Sequence, residues 1–94
     1  MSGNALMIEW GENALEDVNE MVNFISEFNP PAARKLVDQI EESVDRLPNF
    51  PFSYRAGRVA GTREMPVGSY VVIYTVSESE ILVLRVLHSA RQWP

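Results

Sequence analysis

The chain has 94 residues, is 46% hydrophobic, contains no cysteine and carries a formal net charge of −5. That size supports one core but not two. The composition excludes a disulfide framework, a thiolate metal site and, with no apolar run near the ~18 residues a span needs, a transmembrane helix.

The charge is unevenly spread. Residues 1–50 hold ten acidic and three basic side chains, whereas residues 51–94 hold three acidic side chains and five arginines. Arginine without lysine in the second half suits fixed, planar contacts to carboxylate or phosphate; solvated surface charge is the plainer reading. A net negative chain opposes approach to a polyanion, so no direct DNA binding is expected of it. No basic stretch followed by an apolar run opens the sequence, and a cytoplasmic location is expected. No motif implies a cofactor or a metal. Residues 1–6 are expected to form a loose leader to a single domain, with the native start at Met1 or Met7.

"LMIEW" alternates, placing Leu6, Ile8 and Trp10 on one side of a first strand. "GEN" is a turn, and Asn13 followed by Glu16 has the spacing of a capping box. Ala14, Val18, Met21, Ile25 and Phe28 then recur at helical spacing. The opposite face, with Glu16, Asp17, Glu20 and Glu27, reads as solvated acid near a helix N-terminus. "NPPAA" breaks that helix and starts the next, with Asn29 as cap and proline in the first turn. Ala33, Leu36, Val37, Ile40, Val44 and Leu47 form the second apolar stripe, which Pro48 ends. Helices joined this tightly predict an αα-hairpin.

Phe50, Phe52 and Tyr54 are expected to pin the following loop to the rim of the core. Three strands come next: "RVAGTREM", "YVVIYTV" after a turn at Pro66–Ser69, and "ILVLRVLH" after the turn "SESE". Local connections favour an antiparallel meander, and the long apolar run of the last strand favours a central position. The expected fold is therefore α+β: an N-terminal strand, a helical hairpin and a three-stranded antiparallel meander. The helices would pack on one face of a four-stranded sheet.

"MIEW", the helix pair broken at "NPPAA", "GRVAGTREM", "YVVIYTV" and "LRVLHSARQWP" together resemble the RelE/ParE superfamily of toxins from bacterial type II toxin–antitoxin modules. The resemblance spans Met7 to Pro94. It implies a cognate antitoxin whose disordered C-terminal segment folds on binding the toxin. It also implies growth inhibition by one of two targets. RelE-like members cut mRNA on the ribosome; ParE-like members inhibit DNA gyrase without an established hydrolytic centre.

RelE-like toxins build a metal-independent endoribonuclease from sheet lysines and arginines with a C-terminal tyrosine. By the resemblance, Thr62 and Glu64 stand where that set has two strand lysines, and Val71 stands where it has an arginine. No tyrosine follows the last strand. Other nucleases of the superfamily use histidine and glutamate, which leaves His88, Arg85, Arg63 and Glu64 as the conceivable catalytic set. The bland reading of His88 is a strand-ending residue bonded to nearby backbone, since no orienting partner is visible for it. Arg85 alternates away from Leu84 and Val86, sharing a face with Val83 and Leu87, with Glu64 as its expected intrachain partner. Gly57 and Gly61 are assigned to a turn and a bulge, because no helix follows to make a phosphate loop.

Arg58, Arg63, Arg85, Arg91 and Trp93 are the candidate partner contacts, arginine and tryptophan being over-represented in binding hot spots; Trp93 folded back as a plug is the alternative. The reading is a ParE-like gyrase inhibitor held by its antitoxin rather than an enzyme. The alternative is a ribosome-dependent mRNA interferase, and a third class is a non-toxic relative kept as an antitoxin-binding or co-repressor module.

Overall fold

The structure, a computed structural model, describes residues 6–94. The expected leader therefore lies outside the described residues except for Leu6, which packs against the core. Strand β1 (Met7–Trp10) leads into helices α1 (Glu12–Ser26) and α2 (Pro30–Asp45), then a short 3₁₀ turn at Leu47–Asn49. Strands β2 (Arg55–Ala56), β3 (Thr62–Val67), β4 (Tyr70–Val76) and β5 (Glu80–His88) follow. The sheet runs β1-β5-β4-β3-β2, with β1 parallel to β5 and the other pairs antiparallel. The α+β class and the central last strand are as expected. The sheet has five strands rather than four, because "YRAGRVAGTREM" folds as a hairpin of its own.

The handover from β1 to α1 is tight. Gly11 N–H donates to Val83 O at 2.9 Å, and a Cβ on Gly11 would stand 3.1 Å from that same oxygen. The helix therefore starts one residue later, at Glu12, with Gly11 as its cap and no side-chain capping bond. The expected Asn13–Glu16 capping box does not form: Asn13 is already inside the first turn. At the second helix, the Asn29 side chain accepts from Ala32 N–H at 3.1 Å, as anticipated, with proline in the first turn.

The helical hairpin covers one sheet face. Ala14 and Met21 of α1 and Ile40 and Val44 of α2 meet Met65, Val67, Val72, Tyr74, Ile81, Val83 and Val86 of the strands. Burying each large side chain contributes roughly 1.5–3 kcal/mol. Phe28 leaves the predicted stripe: it lies past the end of α1, 74% exposed, with its ring edge-on to exposed Phe24 at 5.5 Å. Helical spacing holds only while the helix lasts.

The loop after α2 is anchored by polar groups rather than by its own phenylalanines. Phe50 and Phe52 are exposed. Instead, the buried Tyr74 hydroxyl donates to Pro51 O at 2.9 Å, and Arg63 Nη1 donates to Tyr54 O at 2.7 Å and to Phe52 O at 3.4 Å. The Arg63 guanidinium also lies 5.0 Å from the centre of the Phe52 ring. Burial pushes the Tyr74 hydroxyl above its ordinary pKa, against the pull of nearby Arg63.

One irregularity changes the reading of β5. Val83 faces Tyr74 and Arg85 faces Ile73, so Leu84 has no partner across the ladder. This extra residue shifts the alternation: Val83 before it and Val86 after it both enter the helix-side core. Strict alternation had placed them on opposite faces.

Candidate partner-binding site

The sheet face away from the helices carries a shallow depression. Its floor is Val71, Ile73 and Leu87; its walls are Arg55, Arg58, Glu64, His88, Ser89, Arg91 and Trp93. Ile73 and Leu87 are only 2% and 4% exposed although no helix covers them, so the polar walls shield them.

The β2–β3 hairpin builds one wall. Gly57 N–H donates to Thr62 O at 2.7 Å, and the buried Thr62 hydroxyl donates to Val59 O at 2.6 Å. Gly61 takes φ +85°, a conformation open to glycine at little cost. This tight turn presents Arg58 at its tip. At its base, Arg55 faces Glu64 across the ladder, and their side chains pair through Nε–Oε1 at 3.0 Å and Nη2–Oε1 at 2.9 Å.

The residues after β5 build the other wall. Ser89 N–H donates to Ser69 O at 2.8 Å and Arg91 N–H to His88 O at 2.9 Å, turning the chain back over the sheet. Ala90 N–H donates to His88 Nδ1 at 3.1 Å, so Nε2 carries the ring hydrogen while that bond stands. The Tyr70 ring packs edge-on to the imidazole at 5.4 Å.

The sequence-predicted residues thus divide. Arg58, Glu64, His88, Arg91 and Trp93 surround one depression. Arg63 and Arg85 do not. Arg63 shares its strand face with core residues Met65 and Val67 and binds loop carbonyls. Arg85 reaches across to α1: its Nε donates to Asp17 Oδ2 at 2.7 Å and its Nη2 to Asp17 Oδ1 at 3.0 Å. The Asp17 side chain also accepts from Val86 N–H at 2.9 Å and is itself only 9% exposed.

The expected Arg85–Glu64 pair is therefore replaced by two others. Both residues face Ile73, from opposite sides of β4, which separates their backbones by two strand spacings, roughly 9–10 Å. Each has a nearer partner. The hydrogen bonds that Arg85 donates to Asp17 raise its pKa above the ordinary value, burial opposing and the charges of Asp17, Glu20 and Glu16 assisting.

Two residues that shape these contacts are not singled out by the sequence. Arg55 lay in what read as loop; placing the turn at 57–61 sets 56 against 63 and 55 against 64, which makes the Arg55–Glu64 pair legible. Asp17 was counted with the solvated acids, and only its tertiary neighbour distinguishes it.

The depression encloses about 60 Å³, well below the roughly 300–1,000 Å³ of small-molecule sites. A shallow, arginine-walled seat of that size fits side chains of a macromolecular partner better than a free metabolite.

Two helices packed on one face of a five-stranded mixed sheet match the fold of ParE and RelE toxins. A solved structure of the chromosomal ParDE system from P. aeruginosa superposes with a TM-score of 0.81 at 21% identity, covering 92% of this chain and 98% of that one. The ParE toxin family of the type II system parDE matches residues 8–93, and the chain belongs to that family. It is 35% identical over 89 residues to toxin Y4kP of Sinorhizobium fredii, covering 93% of this chain and 92% of that protein. It is 26% identical over 84 residues to toxin RelE2 of Caulobacter vibrioides, covering 89% and 96%.

Proposed function

We propose that this toxin is neutralised by a cognate antitoxin and, when free, inhibits DNA gyrase. The observation that carries the target is what occupies the open sheet face. A metal-independent nuclease needs cations around the scissile phosphate and an oriented base. Here Thr62 is buried in its own turn, Glu64 adds a carboxylate already paired with Arg55, and His88 Nδ1 is taken by Ala90 N–H. The family relationship supports the antitoxin partner; the ParDE neighbour supports the fold. A supercoiling assay with purified gyrase tests the target. Inhibition is expected, and none at molar excess of toxin overturns this reading.

One observation favours a second reading, a ribosome-dependent mRNA interferase. Glu64 and His88 line the same depression, with Arg55, Arg58 and Arg91 beside them. Cleavage of ribosome-bound mRNA that is lost on His88→Ala would carry it.

A further inference from the structure

The arginines of the second half of the chain are not equivalent. Arg55, Arg63 and Arg85 are each held by a carboxylate or by carbonyls. Among the described residues, the Arg58 and Arg91 side chains have no such partner. Both line the open depression, as does Trp93.

A second depression adjoins that one. Leu87, His88 and Arg91 line both. The second runs toward α1, where Met21, Phe24, Tyr70 and Val86 supply an apolar lining and Asp17 and Glu20 supply its rim. Phe24 is 64% exposed there. The surface therefore has a direction: the unpaired Arg58 at one end, Arg91 where the two depressions meet, and aromatic and aliphatic groups beside Glu20 at the other.

The geometry points to this surface as the seat of one amphipathic segment of the antitoxin, laid in a fixed direction. Its acidic side chain pairs with Arg58 and Arg91 over the sheet, and its aliphatic or aromatic side chain packs on Phe24 and Tyr70 beside α1. The inference rests on the antitoxin reading above and adds the surface and the polarity of the segment. Planar guanidiniums favour carboxylates in forked geometry. A reversed segment would bring its acid against Glu20, a like-charge juxtaposition that selects against it, Asp17 being already paired with Arg85. A nucleic-acid strand would meet that same carboxylate along its phosphates, and the acidic first half of the chain repels a polyanion as a whole. Peptide acid is thus favoured over RNA.

The test uses the full chain and the antitoxin of the same module, with binding followed by titration calorimetry. Arg58→Glu and Arg91→Glu are each expected to weaken the complex at least tenfold, less so in high salt. Phe24→Ser, on an exposed side chain, is expected to weaken it by a similar factor at any salt. Arg34→Glu on exposed α2 is the control and should change binding less than twofold. Circular dichroism melting confirms that each variant is folded. Wild-type binding that all three site variants retain overturns the inference and leaves the antitoxin reading standing. No binding by the wild type overturns both. A six-nucleotide oligouridylate that binds the wild type but not Arg58→Glu, and is displaced by no antitoxin, overturns the inference in favour of nucleic acid.

Discussion

The Asp17 carboxylate and the Arg85 guanidinium form a two-pronged ion pair that ties α1 to the central strand, with bonds of 2.7 and 3.0 Å. The same carboxylate accepts from Val86 N–H. Strand β1 pairs with β5 only through Val83 and then turns away into α1. Asp17 therefore supplies from a helix an acceptor that the departing strand no longer provides. Because the pair is largely buried, removing one partner strands the other charge. Asp17→Ala is expected to cost about 3–5 kcal/mol, read from urea unfolding. Asp17→Asn keeps an acceptor for Val86 N–H and should cost measurably less. Equal losses for the two variants would falsify the backbone role.

Tyr74 gives the protein an alkaline dependence. Its folded pKa is raised above 10.0 by burial. A raised folded pKa means that the folded state holds the proton more tightly. The stability it contributes is fully present below pH 10.0 and is lost as pH rises from there through the folded value. Tyr74→Phe removes this part, along with the bond to Pro51 worth about 1 kcal/mol. The stability gap between wild type and variant should therefore narrow between pH 9 and 11. A gap that stays constant across that range would contradict the assignment.

Gly57 is required by space rather than by φ. A Cβ there runs into the Thr62 hydroxyl that closes the hairpin turn. Gly57→Ala is expected to destabilise by about 1–3 kcal/mol, the usual cost of overpacking. It should also shift the amide resonances of residues 57–62 while leaving those of α2 unchanged. Shifts spread evenly over the chain would mean that the clash is relieved elsewhere.

Ile81 is fully buried, paired with Ile8 on one side and Val76 on the other. Ile81→Ala should cost about 2–5 kcal/mol, a large share of the ~5–15 kcal/mol that holds a domain of this kind folded. Chemical denaturation measures it directly, and a loss under 1 kcal/mol would place the core elsewhere.

Local signals carried far in this sequence. Asn29 before two prolines made a cap, and branched residues in "YVVIYTV" and "ILVLRVLH" made strands. Where reading failed, a non-local partner decided the outcome. Asn13 lost its cap role because Gly11 is pinned to Val83. Arg85 changed partner because Asp17 of α1 reaches it while Glu64 stands two strands away. Phe50 and Phe52 stayed exposed because Tyr74 and Arg63 hold that loop by its carbonyls. The candidate site was half legible for the same reason: residue types named Arg58, His88, Arg91 and Trp93, but only the fold separates them from Arg63 and Arg85.

The position of β5 sets an order of events during synthesis. It is the last strand of the chain and lies between β1, the first, and β4, with Met7 aligned to Glu80. A nascent chain that has reached only residue 79 holds both helices and the β3–β4 ladder but lacks the strand they assemble around. Such non-local closure is slow compared with helix formation. One wall of the open depression also waits for it, since His88 ends this strand and Arg91 and Trp93 follow it. The open depression is therefore complete only when β5 and the residues that follow it are in place.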